Sequence, residues 1–107
     1  MTITDSILDQ AYTIYEEWGP KRVIDRAQRI HEEIPSLSEV EIGTTIDQMK
    51  AVSKTVWEIS EMGGETRIGR QNVIKLLQKK HPFLQDQGLT HAVFLVNYYA
   101  WHEGYDR

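Results

Sequence analysis

The apolar positions of this chain recur every three or four residues along most of its length, which is the period of an amphipathic α-helix. The longest regular run begins at Ile42 and continues in such steps to Met62. Shorter runs with the same spacing lie in residues 7–18 and 23–34. No run alternates apolar and polar residues over the length of a strand. The pattern therefore predicts an all-α fold.

The first two predicted helices end at residues that cannot continue a helix. Thr4 or Asp5 can cap the first helix, which the Gly19-Pro20 pair then ends. The second helix ends before Pro35, because the residue in front of a proline is disfavoured in helical conformation. We expect a short connection between these two helices.

The third predicted helix has the clearest boundaries. Ser38 and Glu41 have capping-box spacing, in which each side chain accepts a hydrogen bond from the other residue's backbone N–H. The glycine pair at 63–64 ends the helix, since glycine readily adopts the left-handed conformation that closes helices. The run between them fits one long helix or two shorter helices that meet near residues 51–53, and helix propensity does not choose between these alternatives.

Two further helices are predicted in the last third of the chain. One spans residues 70–80 and ends at His81-Pro82, with its buried side formed by Val73, Ile74, Leu76 and Leu77. Residues 83–88 are expected to form a loop, after which Thr90 caps the last helix. The body of that helix, "HAVFLVNYYAWH", is apolar on almost every side, which is typical of a helix at the centre of a bundle or in a subunit interface.

Together these segments predict a single helical domain over residues 1–107, folded as a compact bundle of about five helices with the last helix central. The chain has no cysteine, which excludes disulfides and thiolate chemistry. It has no apolar run long enough for a membrane span and no secretory signal pattern, so we expect a cytoplasmic protein that does not bind membranes.

Charge is unevenly distributed although the net charge is only −4. Residues 66–81 contain five basic side chains and no acidic one, whereas residues 1–18 contain four acidic side chains and no basic one. Such local asymmetry bears on the choice of partner more than the total charge does.

The segment "KTVWEISEMGGETRIGRQNVIKLLQKK", residues 54–80, resembles the helix-turn-helix of DNA-binding regulators. The resemblance implies that a supporting helix leads through a glycine turn to a second helix lying in the major groove of DNA. Residues able to make two-point contacts to bases then begin this second helix, namely Arg70, Gln71 and Asn72. Basic residues placed to contact phosphates are Arg67, Lys75, Lys79 and Lys80.

Two alternatives to DNA binding remain open at the level of sequence. A helix with one apolar stripe and a polar opposite side is also what an ordinary surface helix looks like. The chain can instead be a protein interaction module or homodimer that uses its densest aromatic cluster, which comprises Phe94, Tyr98, Tyr99, Trp101 and Tyr105. Large aromatic side chains of this kind dominate the binding energy of many protein interfaces.

Neither catalysis nor metal binding is expected. His91 and His102 are about 16 Å apart along one helix, which is too far for one metal ion without ligands from elsewhere. Glu58, Glu61 and Glu65 lie in a segment that shows no pocket to separate their pKa values, so they are interpreted as a solvated acidic face. We therefore expect a protein without enzymatic activity, cofactor or metal ion.

Overall fold

A computed structural model describes residues 3–15 and 25–107 of the chain. These residues form an all-α structure of six helices, without strands. The helices are α1 (Asp5–Tyr15), α2 (Arg26–Glu33), α3 (Glu39–Glu61), α4 (Gly64–Ile68), α5 (Arg70–Lys80) and α6 (Asp86–His102). The all-α fold predicted from the sequence is thus confirmed. The predicted connection at Gly19-Pro20 lies outside the described residues.

Helix α3 is one continuous helix, which decides between the two alternatives that the sequence left open. Its capping box is formed as predicted. The Ser38 hydroxyl accepts from the Glu41 backbone nitrogen at 3.1 Å, and the Glu41 carboxylate accepts from the Ser38 backbone nitrogen at 2.8 Å. Its end is also as predicted, because Gly63 follows with a φ of 97° that other residues rarely adopt.

Helix α4 is a five-residue helix in the segment that the sequence predicted to be only a turn. The prediction missed it because so short a helix depends on its packing against the rest of the fold. A Cβ added to Gly64 would lie 2.9 Å from the Asn97 side-chain oxygen, so only glycine lets α4 approach α6 this closely. Gly69, with a φ of 88°, then turns the chain into α5.

Helix α6 begins earlier than predicted. Its first residue is Asp86, so half of the expected 83–88 loop is helix, and Thr90 lies inside the helix. The cap comes from α1, since the Asp9 carboxylate accepts from the backbone nitrogens of Gln85 at 2.6 Å and Gly88 at 3.0 Å. A cap supplied by a distant helix leaves no local sequence signal.

Helix α6 packs against α1, α3, α4 and α5, which places it at the centre of the bundle as predicted. Its side chains join a core whose largest fully buried members include Tyr12, Ile30, Met49, Leu77 and Leu95. Two parts of the core predicted from the sequence are less buried than expected. Met62 is exposed beyond the end of α3, and Ile74 and Leu76 are only half-buried against the core.

Candidate interaction surfaces

A row of aromatic side chains lies on the solvent-facing side of α6. The exposed fractions of these side chains are 59% for Phe94, 36% for Tyr98 and 62% for Trp101. Residues three or four apart share one side of a helix, so these rings are neighbours. The ring centroid of Tyr98 lies 6.4 Å from that of Phe94 and 6.3 Å from that of Trp101. We call these three residues the aromatic stripe.

The aromatic stripe is separate from the part of α6 that forms the core. The buried residues of the helix are Gly88, Ala92, Val93, Leu95, Val96 and Ala100. These residues form the buried side of the helix, so the exposed parts of the outward rings lie outside the core. This explains why the sequence of α6 is apolar on almost every side: one side is core, and another is an apolar surface.

The two other predicted interface residues lie beside the aromatic stripe. Tyr99 and Tyr105 are half-buried, and both pack edge-on against Trp57 of α3, with centroid distances of 5.6 and 6.2 Å. The Tyr98 ring contacts the Tyr99 ring at 5.6 Å, so the two groups form one continuous aromatic region. Trp57, with 38% of its side chain exposed, extends this region onto α3.

Shallow depressions border the aromatic stripe at both ends. The first has a volume of about 690 Å³ and is lined by Thr13, Asp86, Gln87, Thr90, His91 and Phe94. The second, of about 500 Å³, is lined by Gly63, Glu65, Thr66, Asn97, Ala100, Trp101 and Asp106. The stripe thus belongs to a surface that includes side chains of α1 and α4 as well as α6. Most of the side chains around it are polar.

The predicted base-contacting residues begin α5, and all three are exposed. Two of them have partners within the protein. The Asn72 amide donates to the carbonyl oxygen of Ile68 at 2.6 Å, and the Arg70 guanidinium lies 3.5 Å from the Glu65 carboxylate. Gln71 is exposed beside them. The polar groups of Arg70 and Asn72 are therefore not simply directed into solvent.

Glu65 is held firmly in this position. The Asn97 side chain accepts from the Glu65 backbone nitrogen and donates to the Glu65 carboxylate, both at 2.9 Å. A fixed carboxylate beside the first residue of α5 weakens the positive potential there. Phosphate groups would therefore be attracted less strongly than the run of basic residues suggests.

The predicted phosphate-contacting residues are divided between partners inside the protein and solvent. Arg67 donates to the backbone carbonyl oxygen of Arg107 at 2.9 Å, and Lys80 lies 3.5 Å from the Glu58 carboxylate. Lys75 and Lys79 are exposed on α5. Exposed ion pairs of this kind contribute only about 0–1 kcal/mol to stability.

The segment that resembles a helix-turn-helix contains one more helix than the motif. The C-terminal end of α3 supplies the supporting helix, and Val56 and Ile59 are buried as expected. Helix α4 then occupies the connection before α5 begins at Arg70. The connection is therefore a helix with glycine turns on both sides, at Gly63 and Gly69, in place of a single short turn.

One histidine forms part of the interior. The His81 ring is buried after the end of α5, with its Nε2 2.8 Å from the hydroxyl oxygen of Thr55 on α3. The Thr55 hydroxyl donates to the Ala51 carbonyl oxygen at 3.2 Å, so we assign the His81 ring as the donor in this contact. Burial lowers the pKa of His81 below its ordinary value, and the positive charge of Lys80 lowers it further. The described part of the chain brings together no group of three or more side chains that could hold a metal ion.

Comparison of the chain with protein-family models, with curated proteins and with solved structures finds no significant match. Among the described helices, none combines the length and the apolar character needed to cross a membrane. The geometry of the two surfaces, the aromatic stripe and the outer side of α5, therefore provides the basis for proposing a function.

Proposed function

We propose that this protein is a protein interaction module whose docking face is the aromatic stripe of α6. One observation carries the proposal: Phe94, Tyr98 and Trp101 are exposed together on one side of a helix whose core contacts are made elsewhere. Tyrosine and tryptophan are the side chains most enriched among residues that dominate interface binding energy. A partner that covers these rings removes them from water.

The size of the stripe supports a specific interaction. A fully buried aromatic side chain accounts for about 150–250 Å² of surface, so the exposed fractions of the three rings correspond to roughly 300 Å². Contiguous apolar patches of about 300–600 Å² are the largest found on ordinary monomers, and they are often functional. The neighbouring polar side chains, among them Thr66, Gln87 and Thr90, supply the polar rim that surrounds the apolar centre of most interfaces.

Site-specific photocrosslinking in cells tests this proposal. A photoreactive amino acid at position 94 is expected to attach covalently to a protein, whether a second copy or another chain. The matched control is position 40, because Val40 is apolar and 80% exposed but lies at the start of α3. A crosslinked product at position 94 and none at position 40 supports the docking face. No product at position 94, or equal products at both positions, contradicts it.

Duplex DNA binding by the outer side of α5 is the second candidate. The observation in its favour is that all four charged side chains of this helix are basic and exposed, namely Arg70, Lys75, Lys79 and Lys80. Fluorescence anisotropy with labelled duplex DNA tests it. DNA binding by such residues weakens steeply with added salt, and replacement of Lys75 and Lys79 by alanine is expected to reduce that salt dependence. No binding at low salt contradicts this candidate.

The aromatic stripe is favoured over α5 because of what surrounds each surface. Two of the four cations on α5 are paired with carboxylates, through Glu65 and Glu58, and the whole chain carries a net charge of −4. The rings of the stripe contact one another and leave large apolar areas in water. Apolar area in contact with water raises the free energy, and a partner that covers the stripe removes this cost. The exposed cations of α5 are well solvated and carry no such cost.

A further inference from the structure

A carboxylate lies beyond each end of the aromatic stripe. Asp86 and Phe94 line the same depression at the N-terminal end of α6, and Asp106 and Trp101 line the same depression at its C-terminal end. The ion pairs among the described residues include neither Asp86 nor Asp106. Each end therefore combines an exposed ring with a carboxylate that has no basic partner in the described part of the chain.

The N-terminal end provides room for a long cationic side chain. Asp86, Thr90 and Phe94 follow one another at intervals of four residues, so they lie in one row along α6. The row continues to Tyr98 at the centre of the stripe. Lysine and arginine lay their apolar stems along apolar surface while the charged head group stays among polar groups. A stem that lies against Phe94 thus directs its head group towards Asp86.

The start of α6 carries more negative than positive charge. A second, polar depression of about 720 Å³ shares Asp86 with the first and is also lined by Asp9. The two carboxylates outweigh the partial positive charge of about half a unit at the N-terminus of a helix. Among the described residues that line either depression, His91 is the only basic one, and its ring packs edge-on against Tyr12 at 5.8 Å. This end of the stripe therefore attracts a cation.

The C-terminal end is acidic to a smaller degree. Glu65 and Asp106 both line its depression, but the Arg70 guanidinium lies 3.5 Å from the Glu65 carboxylate. The Arg67 side chain also lies at this end, because it packs over Gly63, which lines the depression. The negative charge here is thus partly balanced, and the N-terminal end is the stronger site of attraction for a cation.

We propose that the partner of the aromatic stripe is a basic segment of another protein, with an apolar centre over Tyr98 and Trp101 and an arginine or lysine in the depression between Phe94 and Asp86. This inference rests on the proposed function, since it states the chemistry of the partner of the same surface. The cation pairs with the carboxylate and contacts the aromatic ring, and both contacts are favourable. Arginine is among the residues enriched in protein interfaces.

The same charges discriminate against acidic partners. A carboxylate or phosphate group placed over the N-terminal end of the stripe would face Asp86 and Asp9, and the whole chain carries a net charge of −4. Like charges brought together across an interface are strongly unfavourable. The apolar rings thus supply the affinity of this surface, and the carboxylates beside them select the charge of what binds.

Two synthetic peptides that differ only in charge test the inference. The basic peptide has a leucine-rich centre with arginines at both ends, and the acidic peptide has glutamates in place of the arginines. NMR titration of the labelled protein gives the affinity and the site of binding. The basic peptide is expected to shift the resonances of Phe94, Tyr98 and Trp101, and to bind at least about tenfold more tightly than the acidic peptide.

A matched pair of charge reversals separates the proposed contact from general attraction between opposite charges. Asp86 and Glu39 are each exposed and each the first residue of a helix, so Asp86→Lys and Glu39→Lys change the net charge and a helix terminus equally. Asp86→Lys is expected to weaken binding of the basic peptide at least about tenfold, and Glu39→Lys to leave it nearly unchanged. If circular dichroism shows that Asp86→Lys loses the fold, Asp86→Asn and Glu39→Gln make the same comparison.

The outcomes separate this inference from the proposed function. Preferential binding of the basic peptide at the stripe, weakened by the change at Asp86 and not by the change at Glu39, supports the basic partner. Equal binding of the two peptides, equal effects of the two substitutions, resonance shifts away from the stripe, or no binding of the basic peptide overturns it. If one of these results is found while position 94 photocrosslinks to a protein in cells, the basic partner is excluded and the docking face stands. If position 94 gives no product either, both are overturned.

Discussion

One oxygen of Asp9 accepts hydrogen bonds from the start of a helix that lies 79 residues later in the chain, with the backbone nitrogen of Gly88 3.0 Å away. The same carboxylate oxygen accepts from the backbone nitrogen of Gln85. The first backbone N–H groups of a helix have no partners inside that helix. Helix α1 thus fixes where α6 begins, and with it the position of the aromatic stripe.

Replacement of Asp9 by alanine is expected to destabilise the protein. Loss of a capping side chain costs about 0.5–2 kcal/mol, and a buried N–H left without a partner raises that cost. Asp9→Asn keeps a side-chain oxygen acceptor and is expected to lose less. Urea denaturation followed by circular dichroism measures both variants. Equal stability of Asp9→Ala and the wild type would show that the contact does not cap α6.

Two glycine-to-alanine substitutions are expected to have opposite effects. A Cβ at Gly88 would meet the Asp9 carboxylate and lie 2.9 Å from the Leu84 side chain, so Gly88→Ala disturbs the cap and lowers stability. Gly43 lies inside α3 with open space around it. Gly43→Ala is expected to raise the free energy of unfolding by about 0.5–1 kcal/mol, because alanine loses less backbone entropy in a helix. Thermal unfolding of the pair is the measurement, and effects of the same sign would contradict the described packing.

Stability is expected to fall as the pH drops below the ordinary pKa of histidine, which is 6.5. Burial favours neutral His81 in the folded state, so its pKa in the fold is lowered. As the pH falls, the unfolded chain therefore binds a proton at this histidine before the folded protein does. The contribution of neutral His81 to stability is fully present above the pKa of the unfolded state, and it is lost as the pH falls towards the lower pKa of the folded state. The hydrogen bonds from Ser38 lower the pKa of Glu41 in the same way, but that loss begins only below the ordinary carboxylate value of 4.5.

Urea denaturation at pH 7.5 and at pH 5.5 isolates the histidine contribution. His81→Gln keeps a donor for Thr55 but does not titrate, so it is expected to reduce the difference in unfolding free energy between the two pH values. His31→Gln, at an exposed position of α2, is the control. The prediction fails if His81→Gln retains the full difference or if His31→Gln removes as much of it.

The aromatic stripe and the core are expected to respond differently to truncation. Trp101→Ala removes a side chain that is 62% exposed, so the free energy of unfolding of the monomer is expected to change by about 0.5 kcal/mol or less. Leu77→Ala removes a fully buried side chain and is expected to cost about 2–5 kcal/mol. Urea denaturation at low protein concentration measures the free energy of unfolding of both variants. If Trp101→Ala lowers the free energy of unfolding as much as Leu77→Ala does, the Trp101 ring stabilises the fold and has no docking role.

The features that the sequence predicts well are those with local causes. The start of α3 follows from Ser38 and Glu41, and its end follows from Gly63. The start of α6 depends on Asp9, whose contribution no local pattern reveals. Helix α4 was likewise missed because it forms where Gly64 packs against Asn97.

The candidate surfaces could be predicted only in part. The sequence identified all three residues of the aromatic stripe, yet a helix that is apolar on every side gives no indication of which side faces the core. It also placed Arg70, Gln71 and Asn72 correctly at the start of α5. The partners of Arg70 and Asn72 depend on the turn of the chain between α4 and α5, and this turn was not apparent from the sequence.

Photocrosslinking from the aromatic stripe tests most directly whether the stripe is a docking face. A photoreactive amino acid at position 94 is expected to attach covalently to a partner protein. In the same chain, Trp101→Ala is expected to lower the yield of the crosslinked product at least about tenfold, because large aromatic side chains dominate the binding energy of many interfaces. Val40→Ala is expected to leave the yield unchanged. No product at position 94, or equal effects of the two substitutions, would contradict the claim.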